Sequence, residues 1–177
     1  MRPPEIIDTP RLRLRPPVME DALSIFEDYA QDAQVTRYLL WRPHKGIKET
    51  HDFLERSIAA WETGCEYSWV LTQRGDDRLV GMVGIRIDGS KVELGYVLAR
   101  PHWGRVYMPE AVRAVIEWAL EQEGIYRVWA VCDVENSASV RVLEKVGMQR
   151  EGVLRRWNIH PNPSDEPRDC FRYSIAK

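Results

Sequence analysis

One stretch decides the fold, and it reads Glu93-Leu-Gly-Tyr-Val-Leu-Ala-Arg-Pro-His-Trp-Gly-Arg-Val-Tyr-Met-Pro-Glu-Ala111. Its first part is rich in β-forming residues and predicts a strand over 91–98. A short turn containing Gly104 follows, and a helix is predicted to begin at Met108 or Pro109. The first N–H groups of a helix have no intrahelical partner, and the helix dipole makes that end positive. The turn therefore has the geometry of an anion site, to which Arg105 adds a charge, although an ordinary strand-to-helix turn would look the same.

The turn lacks the motifs of two common nucleotide sites. It does not end in Gly-Lys-Ser or Gly-Lys-Thr, as the phosphate-binding loop of nucleotide hydrolases does. It also lacks the three spaced glycines of a dinucleotide-binding fingerprint. These differences argue against nucleotide hydrolysis and against nicotinamide chemistry.

On both sides of this stretch, segments whose apolar residues recur with period two alternate with segments of helical spacing. The predicted strands are 11–15, 67–73, 78–88, 91–98, 126–131, 148–157 and 168–175, and the predicted helices are 19–29, 47–62, 108–123 and 137–146. The strand–helix–strand order over 91–131 favours one parallel pair in an otherwise antiparallel sheet. We expect one domain of mixed α/β class over 1–177, with about seven strands and four helices. The proline-rich segment 160–167 is expected to be a mobile loop.

Composition limits the classes of function. The 177 residues, 44% of them hydrophobic, suffice for one compact domain. A formal net charge of −2 gives no overall attraction to nucleic acid or anionic membrane, so neither is an expected partner. The three cysteines form no Cys-x-x-Cys pair, which favours reduced thiols and argues against a metal site or a disulfide framework. No secretory signal or membrane-spanning run is apparent, and a cytoplasmic location is expected.

A second informative segment reads Glu135-Asn-Ser-Ala-Ser-Val-Arg-Val-Leu-Glu-Lys-Val-Gly-Met-Gln-Arg-Glu-Gly-Val153. It places Asn136 and Ser139 between the end of a strand and the start of a helix. Taken alone, Asn136 or Ser137 is explained as a helix cap.

Together with Thr9-Pro-Arg-Leu-Arg-Leu-Arg15, the two segments resemble the GNAT acetyltransferase superfamily, and within it the RimJ/RimL-type branch. That branch acetylates primary amines from acetyl-CoA. The resemblance covers nearly the whole chain and is carried by Leu94-Gly-Tyr96, Trp103-Gly104, Glu110-Ala111, Glu135-Asn-x-x-Ser139 and Glu144-Lys-Val-Gly-Met-Gln-Arg-Glu-Gly152. It implies a single N-acetyltransferase domain with a substrate-side half over about 9–65 and an acetyl-CoA-binding half over about 66–177. It also implies that the fourth and fifth predicted strands splay apart.

The resemblance further implies the residues that bind acetyl-CoA. The splayed strand offers backbone groups to the pantetheine arm at Val97, Leu98 and Ala99. The pyrophosphate is expected on the N–H groups of Gly104, Arg105, Val106 and Tyr107. Asn136 matches the family asparagine that touches the CoA arm, and Ser139 matches the residue that donates a proton to the departing thiolate.

The acceptor amine must be neutral to attack the thioester, so a base has to remove its proton. Glu93 is our first candidate because it lies on the splayed strand, although an exposed strand glutamate would look the same. His102 lies in the phosphate turn, away from the expected thioester. Cys132 is expected to be a buried thiol rather than a covalent relay. The sequence therefore predicts direct transfer to the amine.

Val106 departs from the family pattern Trp-Gly-x-Gly. A β-branched residue adds bulk and disfavours a positive φ. If the family glycine is needed only for close approach, CoA affinity falls modestly; if it is needed for a positive φ, the turn must rearrange. This departure motivates an alternative function, a catalytically weak acyl-CoA-binding or sensing protein.

Seven tryptophans are many for this length. Trp41, Trp61 and Trp157 fall near the expected acceptor side, and we predict substrate contacts for Trp41 and Trp157, with ordinary packing as the alternative. Trp69, Trp118 and Trp129 are expected in the core. Both a protein N-terminal α-amine and a small-molecule amine remain open as acceptors, and the aromatic rings favour an apolar or peptide-like amine over a polyamine. The sequence leaves a homodimer open.

Overall fold

Eight strands form one sheet in the computed structural model, which describes residues 2–64 and 66–177. The strands are β1 (Ile7–Asp8), β2 (Leu12–Arg15), β3 (Tyr67–Gln73), β4 (Leu79–Asp88), β5 (Lys91–Leu98), β6 (Arg127–Asp133), β7 (Gln149–Ile159) and β8 (Pro167–Ala176). Their order is β1-β2-β3-β4-β5-β6-β8-β7, and only β5 and β6 are parallel neighbours among the described strands. The mixed α/β class and the single parallel pair are confirmed, and the additional strand is the two-residue β1.

Helices cover both faces of the sheet: α1 (Ala22–Ile25), α2 (Ile47–Thr63), α3 (Tyr107–Glu121) and α4 (Ser137–Lys145). The prediction of one regular helix over 19–29 is wrong. That segment consists of a 3₁₀ turn at Met19–Asp21, the short α1, and a π turn at Phe26–Ala30. Asp21 favours the tight first turn, because its carboxylate accepts hydrogen bonds from the Val18 N–H at 2.9 Å and from the Arg15 guanidinium.

Period-two alternation along the strands gives each face of the sheet its own apolar layer. On one face, the stripe of α3 is buried against strand residues such as Val83, Leu94 and Val128. This stripe consists of Ala111, Val112, Val115, Ile116 and Ala119, as the helical spacing predicts. On the other face, α1 and α2 pack against Met82 and Val97.

The parallel pair is short. β5 and β6 are paired over three positions, from Lys91–Arg127 to Glu93–Trp129, and the described strands show no pairing with each other beyond that point. β5 then continues along β4, while β6 continues along β8. The sheet therefore opens into a gap between 94–98 and 130–133. Gly81 allows the close approach of β4 to β5 beside the gap, since a Cβ there would lie 2.3 Å from the Val97 carbonyl oxygen.

The segment between α1 and α2 is attached to the segment that joins β7 to β8. Asn162 Nδ2 donates to the carbonyl oxygens of Thr36 at 2.6 Å and Trp41 at 2.9 Å, and His160 Nδ1 donates to the Tyr38 carbonyl oxygen at 2.8 Å. We expected a mobile loop over 160–167. Instead, these hydrogen bonds anchor it to the other segment on the α1 and α2 face.

Candidate active site

The turn before α3 has the backbone geometry expected of an anion site. A 3₁₀ turn over Arg100–His102 leads to Gly104 with φ +76°, and α3 begins at Tyr107 directly after Val106. The four residues predicted to bind the pyrophosphate, 104–107, therefore lie together at the N-terminus of a fifteen-residue helix. The unpaired N–H groups and the dipole at this end favour a bound phosphate.

Val106 adopts the left-handed conformation, with φ +64° and ψ +15°. The turn therefore has a positive φ at this residue and is not rearranged by the valine, and the expected modest fall in CoA affinity stays a prediction. Such a conformation costs an L-residue about 1–2 kcal/mol. The surrounding structure must therefore hold the turn in place.

Two rings support the turn from within. Trp103 Nε1 donates to the Leu98 carbonyl oxygen at 2.8 Å, which joins the turn to the end of β5. His102 is buried, and its ring centroid lies 6.0 Å from that of Tyr107. Burial lowers the pKa of His102, and the neighbouring Arg105 lowers it further. His102 therefore packs within the turn as a neutral ring, away from Glu93 on β5.

The gap presents only some of the backbone groups expected there. The Ala99 N–H donates to the Val80 carbonyl at 2.9 Å, and the Ala99 carbonyl accepts from the His102 N–H at 3.0 Å, so both groups are used within the protein. Backbone groups alternate in direction along a strand. Since Ala99 and Val97 face β4, the N–H groups of Tyr96 and Leu98 face the gap. Of the three predicted partners of the pantetheine arm, Leu98 is the one whose N–H is directed there.

A pair of hydroxyl groups lies on the α4 side of the gap. Ser139 Oγ is 2.7 Å from the Tyr96 hydroxyl, and Asn136 Oδ1 caps the helix by accepting from the Ser139 N–H at 3.1 Å. Burial raises the pKa of Tyr96, so its hydroxyl stays protonated. Cys132 is also buried on this side, and burial raises the pKa of its thiol to about 11. A neutral thiol is a poor nucleophile.

A carboxylate lies on the opposite side of the gap. Glu93 is the last residue of β5 paired with β6, and its carboxylate forms an ion pair with Arg86 on β4. Both residues line a pocket of about 330 Å³ together with Leu40, Trp129, Val131, Trp157 and Asn158. The pocket thus combines one anion and one cation with aromatic and aliphatic walls.

Several tryptophans lie in surroundings that differ from those expected. Trp157 is half-exposed and lines the pocket with Glu93, whereas Trp41 packs against the α1 and α2 layer and the His44 ring. Trp61 is buried edge-on against Trp69. Trp129, expected in the core, instead faces the pocket, and the Arg172 guanidinium lies over its ring at 4.9 Å.

Sequence reasoning missed Arg86, Trp129 and the role of Tyr96. Arg86 had a detectable signal, because a two-residue turn at 89–90 forces residues 86 and 93 to face each other across the hairpin. Alternation along β6 places the Trp129 and Val128 side chains on opposite faces of the sheet. Both faces carry apolar residues, so the sequence does not show which face is the core. No comparable signal linked Tyr96 to Ser139, which lies 43 residues further along the chain.

Within residues 2–64 and 66–177, no group of three or more histidine, cysteine, aspartate or glutamate side chains is arranged to hold a metal ion. None of the helices in these residues combines the length and apolarity needed to cross a membrane.

Comparisons with known proteins agree with this geometry. The acetyltransferase (GNAT) domain family matches residues 11–149. The chain is 31% identical over 175 residues to the uncharacterized N-acetyltransferase YoaA of Bacillus subtilis (strain 168), with 97% of each chain covered. In fold it is similar to the microcin C7 self-immunity acetyltransferase MccE, solved in complex with acetyl-CoA and AMP (TM-score 0.87, 20% identity, 96% and 94% covered). It is also similar to RimL, the ribosomal L7/L12 α-N-protein acetyltransferase, solved with coenzyme A (TM-score 0.86, 18% identity, 97% and 98% covered).

Proposed function

The chain belongs to the GNAT family of N-acetyltransferases, and we propose that it moves the acetyl group of acetyl-CoA directly to a primary amine on a peptide-like or otherwise apolar acceptor. One observation carries this proposal. The gap between β5 and β6 has the Glu93 carboxylate on one side and the Ser139–Tyr96 hydroxyl pair on the other. An amine acyl transfer needs a proton acceptor and a proton donor on opposite sides of the reacting carbonyl.

The residues around the gap fit acetyl-CoA, which supplies a thioester as the acyl donor. The N–H groups of residues 104–107 would hold the pyrophosphate at the positive end of α3. The N–H groups of Tyr96 and Leu98 face the gap, and the Leu98 N–H would stabilise negative charge on the acetyl oxygen. Asn136 stands at the start of α4 beside the gap.

The proton path follows from the same geometry. Glu93 draws the ammonium form of the acceptor and takes its proton, directly or through water, so that the nitrogen lone pair can bond to the acetyl carbon. Ser139 donates a proton to the departing sulfur as the carbon–sulfur bond breaks. Tyr96 returns a proton to Ser139 through its 2.7 Å contact with Ser139 Oγ and regains one from water. The second proton of the attacking nitrogen is released to water as the amide forms, so the protons balance. Cys132, held as a neutral thiol, takes no part as a covalent relay.

The pocket walls favour one kind of acceptor. A polyamine needs several carboxylates along its length, but the pocket offers Glu93 alone, and Arg86 is bound to it. The remaining surface of Leu40, Trp129 and Trp157 suits an apolar side chain or a peptide backbone next to the amine. The Arg86 guanidinium can donate to an acceptor carbonyl.

The deciding experiment combines calorimetry with CoA and a thiol-release assay over a panel of amines. The panel contains peptides with free N-termini, the same peptides already N-acetylated as blanks, small apolar amines, an aminoglycoside and spermidine. We expect CoA to bind, and free peptide N-termini or apolar amines to release thiol faster than spermidine. CoA binding without turnover on any amine would support the acyl-CoA-sensing alternative that Val106 motivates. Absence of CoA binding would contradict both functions.

Three variants test the roles of individual residues. Glu93→Gln should lower kcat about 10²–10⁴-fold without weakening CoA binding, because it removes the proton acceptor. Glu151→Gln is the matched control, since Glu151 is also an ion-paired strand glutamate but does not line the pocket. Ser139→Ala should lower kcat as well. Equal activity of the Glu93 variant and the control would refute the assignment of the base.

A further inference from the structure

The N-terminal strand region contacts the first turn of α3 through the carboxylate of Glu110. Glu110 Oε1 accepts from the Thr9 hydroxyl at 2.6 Å and from the Arg11 N–H at 2.9 Å, and Oε2 accepts from Arg11 Nε at 2.7 Å. The Glu110 side chain is only 14% exposed. Burial alone would raise the pKa of Glu110, but these hydrogen bonds outweigh it and hold the pKa below its ordinary value. Glu110 is therefore a fixed, charged acceptor for the N-terminal region.

Arg11 also reaches the turn itself. Its Nη1 donates to the Arg105 carbonyl oxygen at 3.0 Å, and its guanidinium carbon lies 4.9 Å from the centre of the Tyr107 ring. The Glu110 N–H donates to the Val106 carbonyl at 3.2 Å. Arg11 thus contacts the residues before and after Val106, and Glu110 contacts Val106 itself.

The hydrogen bond to the Arg105 carbonyl has a direct effect on Val106. The carbonyl of residue 105 and the N–H of residue 106 belong to one planar trans peptide and point in opposite directions. Holding the carbonyl against Arg11 therefore aims the Val106 N–H away from Arg11. Without such a restraint, the left-handed valine would relax to a common backbone conformation, and the peptide would rotate.

We propose that Thr9, Arg11 and Glu110, here called the N-terminal clamp, are positioning residues that hold the Arg105–Val106 peptide with its N–H directed at the CoA pyrophosphate. The clamp acts through the turn and touches no reacting atom. This inference rests on the proposed function, because it assumes that the turn binds CoA. It adds a role for the N-terminal strand region, which otherwise lies outside the gap and the acceptor pocket.

The first test is Arg11→Lys, which keeps the positive charge but loses the planar fork that reaches Glu110 and Arg105 together. We expect the Kd for CoA to rise about tenfold, because only a fraction of the turns then has the binding conformation. At saturating acetyl-CoA, kcat should stay unchanged. Arg13→Lys is the matched control: Arg13 lies on the adjoining strand, is equally exposed at 47%, and also binds a carboxylate through two nitrogens, that of Asp8. Its Kd should equal that of the native protein.

Two further variants separate positioning from simple charge attraction. Glu110→Gln removes a negative charge near the turn, so charge attraction alone predicts tighter CoA binding, whereas the clamp predicts weaker binding. Val106→Gly accepts a left-handed conformation without strain. In that background Arg11→Lys should raise the Kd less than about threefold, since the relaxed turn needs less restraint.

Several outcomes would overturn the inference. They are an unchanged Kd in Arg11→Lys, tighter binding in Glu110→Gln, or an equal rise of the Kd with and without Val106→Gly, which would indicate direct phosphate contact by Arg11. Thermal unfolding of each variant is measured as a control, to check that the compared proteins are folded. If the native protein itself fails to bind CoA, the proposed function fails; if it binds and the variants behave as the control does, only the clamp is refuted.

Discussion

The strain at Val106 leads to a prediction about stability that is independent of any ligand. We compare Val106→Gly with Val106→Ala, since both remove the two γ-methyl groups of the valine and differ only by the Cβ, which restricts the backbone. At φ +64° an alanine keeps a strain of about 1–2 kcal/mol. Glycine avoids this strain but loses about 0.5–1 kcal/mol through its freer unfolded chain. The glycine variant should therefore be the more stable of the two, by about 0.5–1 kcal/mol.

The control is the same pair of substitutions at Val153, a half-exposed valine in β7. There the residue is paired with Phe171 of β8 and has no positive φ, so glycine should be less stable than alanine by about 0.5–1 kcal/mol. Urea unfolding measures both differences, and the melting temperatures should differ by about 1–4 °C in opposite senses at the two sites. If glycine is the less stable variant at both sites, Val106 is not strained in the folded protein. The turn would then need no restraint to keep its conformation.

Three further predictions follow from the site and its surroundings. Trp157→Ala should raise the KM for the acceptor about tenfold or more in the thiol-release assay, whereas Trp41→Ala should lower stability and leave that KM near its native value. Cys132→Ala should keep kcat within about threefold of native, because the proposed transfer passes directly to the amine; a loss of about 10³-fold would instead indicate a covalent relay. Asp133→Asn should cost about 1.5–3 kcal/mol in urea unfolding at pH 7, because Arg168 loses its buried charged partner and keeps only the ion pair with Glu135. Burial is the largest single effect on the pKa of Asp133 and would raise it, but the hydrogen bonds from Arg168 and from the Glu135 N–H, together with the positive charge of Arg168, lower the pKa overall. This stabilisation is therefore present above about pH 4 and is lost as the pH falls through the folded pKa. The unfolding free energy of the variant should accordingly vary less over that range.

Local chemistry made the sheet and the turn predictable. The Asp88-Gly-Ser90 turn sets the register of β4 and β5, and that register brings Arg86 opposite Glu93. The stripe of α3 follows directly from helical spacing. In contrast, the π turn at Phe26–Ala30 and the two-residue β1 carry no such pattern. The π turn packs against residues distant in sequence, such as Leu54 and Val70, which a local window does not contain. β1 pairs with the nearby β2, but its two residues are too few to show an alternating pattern.

The candidate site was predictable where it is built from backbone. Residues 104–107 needed only a strand, a glycine turn and a helix start, and the structure places all four together. The aromatic walls were harder to assign. Trp61 lies in the core and Trp129 lines the pocket, the reverse of what was expected. Helices cover one face of β6 and the pocket lies on the other, and both environments accept an apolar ring such as that of Trp129.

The gap between β5 and β6 has a consequence for how the protein responds to its surroundings. A sheet interrupted at this point leaves amide groups whose strand partner is missing, and water has to satisfy them. A ligand arm that pairs with the N–H groups of Tyr96 and Leu98 takes the place of the missing strand. Because the ligand binds only the folded protein, binding stabilises the fold. At a ligand concentration of about 100 times Kd, the free energy of unfolding rises by about 2.7 kcal/mol. With acetyl-CoA as the proposed ligand, the resistance of this protein to heat and proteolysis should follow the acetyl-CoA concentration.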